Sequence, residues 1–240
     1  MEENEIKNVA KEKTQAEIIV HKESALKKLD SLLLNYISNP DTMLKADKLS
    51  YWIEDFSNLL KSEETFDPIY LKQYNRGDVV QANLGYNIGN EEGGLHYCIV
   101  IDKHNSKKSG IVTVIPLTSN KGQNLDFSEV SLSNEVYSSF KQKHDNLISE
   151  LSKKINSFNE NSSREEIRLA LENLNFLKKM DSKMSKMKKG SIALVSQITT
   201  ISKQKIYDPQ KTQDLLSGVR ISDNSLDLIN EKMKQLFIKN

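Results

Sequence analysis

The placement of glycine and proline constrains this chain more than any other feature. All nine glycines lie between Gly77 and Gly218, seven of them from Gly77 to Gly122. Between Gln123 and Lys189 there is neither Gly nor Pro, and before Gly77 the only helix breakers are Pro40 and Pro68. Gly and Pro punctuate turns and interrupt helices, so the chain must divide into unlike parts. A turn-rich middle suits short strands, and the two breaker-poor stretches suit long helices.

The apolar spacing agrees. In residues 14–61, Ile19, Leu26, Leu29, Leu33 and Tyr36/Ile37 form one helical stripe after a possible capping box, Thr14-x-x-Glu17. Asn39-Pro40-Asp41 ends that helix and starts another, which carries Leu49, Trp52/Ile53, Phe56 and Leu59/Leu60. In residues 135–188, Val136, Phe140, Leu147, Leu151, Ile155 and Phe158 repeat at helical spacing. After a turn at Asn159–Ser163 the pattern resumes with Ile167, Leu171, Leu174, Leu177, Met180, Met184 and Met187. Both segments read as helical hairpins. Each end of the chain's middle carries net charge: −4 for residues 1–75 and +5 for 136–189.

Between them the period changes. Asp78–Leu84 can form a strand, Tyr97–Ile101 and Ile111–Ile115 are short β-branched runs of the kind found in buried strands, and Ser191–Val195 and Ile198–Ile201 read as strand again. Leu125–Leu132 alternates imperfectly and reads as an edge strand. A last amphipathic helix begins near Ser222 with Leu226, Ile229, Met233, Leu236 and Phe237. The expected fold class is α+β. An N-terminal helical hairpin, residues 1–66, precedes a β-domain with a C-terminal helix, residues 74–240, interrupted by a helical insertion at 136–187.

Composition removes several function classes. The net charge of +1 gives no whole-molecule attraction to nucleic acid, although a local patch can supply it. One cysteine excludes a disulfide framework and any Cys-rich zinc site. No apolar run approaches the roughly 20 residues of a membrane helix, and the acidic start Met1–Glu5 shows no secretion signal, so a cytoplasmic location is expected. Walker, dinucleotide-binding and Gly-x-Ser-x-Gly motifs are missing. Of the four histidines, His21 and His144 are expected on solvated helix faces and His104 in a polar loop, and no two show ligand spacing. No metal and no cofactor are expected.

The chemistry-bearing stretch runs from Arg76 to Ser119. It contains Arg76-Gly77-Asp78-Val79, then Gly89-Asn90-Glu91-Glu92-Gly93-Gly94-Leu95-His96-Tyr97, then Ile99-Val100-Ile101 and Pro116-Leu117-Thr118-Ser119. With Ser191–Ile201, these segments resemble the MazF/PemK family of toxins from toxin–antitoxin systems. That family has an R-G-D-[IV] strand, a loop G-x-E-x-G-G-x-R-P-x-[LV]-V-I, a strand ending near P-[IL]-T-[SA], and S-x-[IV]-L-x-E-Q-I-R-T-I. The resemblance covers about residues 74–132 and 188–240. It implies an SH3-like β-barrel with a C-terminal helix, a homodimer, and metal-independent cleavage of single-stranded RNA restrained by an antitoxin. The ribose 2′-hydroxyl would attack its own phosphate, leaving a cyclic phosphate and a 5′-hydroxyl.

The family's arginine and threonine carry most of that chemistry, and here the threonine is Thr118 while His96 stands at the arginine. Tyr97 replaces the following proline, and Ser196 and Thr199 replace a carboxylate and a second arginine. Imidazole can serve as acid or base near neutrality, as guanidinium cannot. His96 and Thr118 are therefore the candidate catalytic pair. Asn90, Glu91, Glu92, Ser119 and Gln197 are candidate RNA contacts, since single-stranded RNA is read on its base edges. The competing reading is a binding module for nucleic acid or protein that has lost cleavage because His96 replaces the arginine.

Overall fold

The computed structural model describes residues 13–122, 124–187 and 190–239. The chain forms two compact units, Met1–Ser57 and Asn58–Asn240. The first holds α1 (Gln15–Ile37) and most of α2 (Met43–Glu63). Thr14 caps α1 through the reciprocal bonds of a capping box with Glu17. Around Pro40 the chain turns, with the Thr42 hydroxyl donating to the Tyr36 carbonyl oxygen at 2.9 Å. α1 buries no residue and α2 only Ala46, so the apolar stripes of this helix pair stay largely exposed.

The second unit is built on antiparallel strands β1 (Val79–Asn83), β2 (Leu95–Val100), β3 (Ile111–Ser119), β4 (Glu129–Ser131), β5 (Ser191–Leu194), β6 (Thr199–Ser202) and β7 (Ile206–Asp208). They are joined in the order β4-β5-β3-β2-β1-β7, with β6 also on β3. Strand β3 is long enough to take two partners on one side. Its first half pairs with β6, from Ile111↔Ser202 to Val114↔Thr199, and its last residues pair with β5, from Leu117↔Ala193 to Ser119↔Ser191. Pro116 falls in the gap between these ladders, where a residue without an N–H forfeits no strand bond.

Both faces of this sheet are covered, which is why the strands read as continuous apolar runs rather than as alternating ones. Val79, Ile99, Ile101, Ile115 and Leu117 face one core, together with Leu226 and Ile229 of α5 (Asp223–Phe237). Val80, Ala82, Cys98, Val100, Val112 and Val114 face a second core with Tyr74, Ile201 and Ile206. The start of the second unit's sheet is tied down by a cluster of polar contacts. Asp78 is buried and accepts bonds from Lys72 Nζ at 3.0 Å and the Asn75 amide at 3.1 Å, with Arg220 Nε at 3.3 Å. Arg76 donates to the Ile101 carbonyl and to Asn230 Oδ1, so it ties α5 to the end of β2.

The inserted segment is the expected helix pair, α3 (Glu135–Asn156) and α4 (Arg164–Lys186), with a capping box at Ser163 and Glu166. Its outer part has a small cluster of its own, Leu151, Ala170 and Leu177. Its root is different: Val136, Phe140 and Met180 are fully buried in the first core of the sheet. Lys183 reaches Gln81 Oε1 at 3.1 Å and also bonds Asp208, and Lys143 donates to the carbonyls of Asp214, Leu215 and Ser217 at 2.8–2.9 Å. His144 corrects the expectation of a solvated residue. It is buried on the face of α3 that meets α4, with Nδ1 3.2 Å from Asp145 and Nε2 3.0 Å from Asp181.

Candidate functional site

His96 and Thr118 enter the site from neighbouring strands. The β2–β3 register runs through Val100↔Val114, Ile99↔Ile115 and Cys98↔Pro116. The ladder ends there: His96 is paired with Ala82 of β1, and Thr118 with Ile192 of β5. The Nδ1 of His96 lies 3.2 Å from the Leu117 carbonyl oxygen, which holds the ring against β3. His96 and Thr118 each lie two residues beyond a buried residue, Cys98 and Pro116 respectively, at the rim of the second core. Burial, with the Glu92 charge as a smaller cause, pushes the Cys98 thiol up to about 12, so Cys98 is a core residue rather than a nucleophile.

The loop between β1 and β2 folds over this rim. Leu84 and Gly94 pair through their backbones, as do Gly94 and Gly85, at 2.7–2.8 Å. Gly89 and Gly94 adopt positive φ (64° and 79°), which an L side chain would strain. Gly93 is required for a different reason: a Cβ there would lie 2.7 Å from the Gly85 carbonyl oxygen.

Gln197, in the short turn between β5 and β6, clamps the same loop. Its Nε2 donates to the Asn90 carbonyl oxygen at 3.1 Å, and its Oε1 accepts the Glu92 amide at 3.3 Å. Asn87, which the sequence did not single out, adds a bond from its Nδ2 to the Glu92 carbonyl oxygen at 2.6 Å. The outcome is that the Glu92 carboxylate is brought to His96, its Oε2 lying 3.3 Å from Nε2. Asn90 and Glu91 stand exposed at the loop tip.

A cavity of about 150 Å³ brings Thr118 and Ser119 together with Tyr97, Ser191, Val136 and Lys186, and His96 does not line it. Burial, with Asp208 as the second cause, pushes the Tyr97 hydroxyl up to about 12. Lys186 is the cation that sequence reasoning missed, because it lies far from the motifs in the chain. Among the described residues, no group of three or more His, Cys, Asp and Glu side chains is placed to hold a metal ion.

The loop with Glu92, and His96, Thr118 and Ser119, fall within a matched family region, while Lys186, Ser191 and Gln197 lie beyond it. Residues 75–156 match the family described as PemK-like, MazF-like toxin of type II toxin-antitoxin systems. By this match residues 75–156 are a PemK/MazF toxin domain. Strands β1 to β4 and helix α3 lie inside the matched residues. Among solved structures the chain is similar to the crystal structure of MazF (Form-I) from Deinococcus radiodurans, at 11% identity and a TM-score of 0.36. That match covers 69% of this chain and 96% of the other. No curated protein matches the sequence. Among the described residues, no helix is long and apolar enough to cross a membrane.

Proposed function

We propose that the toxin domain is an endoribonuclease that cleaves single-stranded RNA without a metal ion, by attack of a 2′-hydroxyl on the adjacent phosphate. The observation that supports this reading is His96 at the start of β2, its Nδ1 3.2 Å from the carbonyl oxygen of Leu117, the neighbour of Thr118, beneath a loop held in place by Gln197. The reaction needs groups that move protons and groups that stabilise charge developing on phosphorus. His96 supplies the first, and the Thr118 hydroxyl can donate to a phosphate oxygen. Asn90, Glu91 and Glu92 on the loop, with Ser119 and Gln197, are the contacts proposed for RNA. Lys186 adds a cation beside Thr118. An antitoxin is the proposed partner that restrains the activity, and a homodimer and cytoplasmic location remain part of the proposal.

The test is incubation of the purified protein with single-stranded RNA in EDTA. Cleavage leaving 2′,3′-cyclic phosphate and 5′-hydroxyl ends is expected. His96→Ala should slow it by about 10²–10⁴, the range for a lost proton-transfer group, and Thr118→Ala by about 10²–10³, the usual cost of one lost transition-state donor. Cleavage by His96→Ala at the wild-type rate would overturn the assignment. RNA binding without cleavage by the wild type would favour the binding module instead.

A further inference from the structure

The loop ahead of β2 is built around one residue. The backbone of Glu92 is held on both sides, its amide by Gln197 Oε1 at 3.3 Å and its carbonyl by Asn87 Nδ2 at 2.6 Å. The next residue, Gly93, packs so closely on Gly85 that no side chain fits. These contacts fix the direction in which the Glu92 side chain leaves the loop, and that direction leads to His96.

The two ring nitrogens of His96 then face different acceptors. Nδ1 lies 3.2 Å from the Leu117 carbonyl oxygen, and Nε2 lies 3.3 Å from Glu92 Oε2. A carbonyl oxygen and a carboxylate only accept, so both contacts are hydrogen bonds at once only when both nitrogens carry protons. Nδ1 is turned to the strand, which leaves the Nε2 edge as the one that can meet a substrate. The side chains are 25% and 29% exposed, so the pair is open to a bound strand. In the G-x-E-x-G-G-x-R pattern the fixed glutamate falls on Glu91, and Glu92 occupies the variable position after it. This chain thus has histidine where arginine is expected and a carboxylate touching it from a position the pattern leaves free.

We infer that Glu92 and His96 are the base and the acid of the cleavage, working as one pair; this rests on the endoribonuclease reading above. The Glu92 carboxylate takes the 2′-hydroxyl proton as the O2′–P bond forms. His96 Nε2 gives its proton to the 5′-oxygen as the P–O5′ bond breaks. The carboxylic acid of Glu92 then returns its proton to Nε2 across their contact, so no proton is consumed and the pair is reset. A guanidinium cannot take part in such an exchange, because it does not deprotonate in proteins.

The experiment compares ordinary RNA with RNA carrying sulfur at the 5′-bridging position of the scissile phosphate, where the thiolate leaves without being protonated. On ordinary RNA, His96→Ala and Glu92→Gln should each lose about 10²–10⁴ in rate, the range for one proton-transfer group. On the sulfur substrate His96→Ala should recover to within about tenfold of wild type, since the acid is no longer needed. Glu92→Gln should stay slow, because the base still is. Glu92→Asp should keep part of the activity on both. For each variant the loss in rate should exceed the loss in binding of an all-deoxy strand, which separates lost chemistry from a lost loop. Wild-type rates for Glu92→Gln on ordinary RNA, or no recovery of His96→Ala on the sulfur substrate, would overturn the pair while leaving the endoribonuclease reading standing. A wild-type protein that yields no cyclic-phosphate ends on either substrate would overturn that reading, and the pair with it.

Discussion

Phe140 lies on the inserted helix α3, yet it is fully buried in the core that backs β2 and β3. If the root of the insertion is part of that core, Phe140→Ala should cost what a core truncation costs. The removed ring loses its transfer free energy and leaves a cavity lined by residues of the sheet and of α5, which together amount to about 3–5 kcal/mol. For a chain of this size a loss near 4 kcal/mol lowers the melting temperature by roughly 8–16 °C. Leu171→Ala, at an exposed site on α4, should stay within about 0.5 kcal/mol of wild type. Tryptophan fluorescence is the wrong probe, because Trp52, the single tryptophan, belongs to the first unit. Amide hydrogen exchange in increasing urea reads the core directly, at Ile99 and Ile115. The expected result is that their protection falls in parallel with global stability. If Phe140→Ala leaves Ile99 and Ile115 as protected as in wild type and loosens only α3 and α4, the insertion is an appendage and the reasoning fails.

Three further outcomes follow from local geometry. Gly93→Ala places a methyl 2.7 Å from the Gly85 carbonyl oxygen, so the loop must shift; cleavage should fall at least tenfold, with global stability changed by less than about 1 kcal/mol, as kinetics and urea titration would show. Arg76→Lys cannot reproduce two bonds to separate acceptors, the Ile101 carbonyl and Asn230, and should cost about 1–3 kcal/mol with early loss of exchange protection in α5. Cys98 should resist iodoacetamide at pH 8 until the protein is unfolded. Its thiol is raised from 9.0 to about 12 in the fold, so the unfolded chain loses that proton first. The stabilising difference is therefore intact below pH 9 and is lost as pH rises toward 12, by about 1.4 kcal/mol per unit more than in Cys98→Ala.

Periodicity made most of the architecture legible. Both capping boxes form as read, at Thr14 with Glu17 and at Ser163 with Glu166, because a cap is a local bond between near neighbours. The strands around Ile99, Val114 and Ala193 were visible as β-branched runs, but β7 was not: three residues, Ile206–Asp208, carry too little pattern. Long-range pairing is where the reading stops. His144 looked solvated because nothing in the chain announces that Asp181 will stand opposite it. Lys203 is buried beside Tyr74 with its Nζ donating to the Ser106 carbonyl at 2.9 Å, a cation that hydropathy alone assigns to the surface. At the site, the motif marked His96 and Thr118, and only the fold shows that Gln197 bonds the loop backbone and that Glu92, rather than Glu91, meets the imidazole.

The added helices leave and re-enter the sheet at almost the same point. The Leu132 amide donates to the Ser191 carbonyl, and the Ser191 amide donates to the Ser133 carbonyl, both at 2.8 Å. To the sheet, β4 and β5 are therefore an ordinary hairpin whose tip happens to be very long. Closing a tip of roughly 60 residues instead of four costs only about 2 kcal/mol of chain entropy, since the penalty grows with the logarithm of length. Three large side chains buried at the root, Val136, Phe140 and Met180, more than offset that. A hairpin tip of this kind can lengthen into a helix pair without altering the order of a single strand.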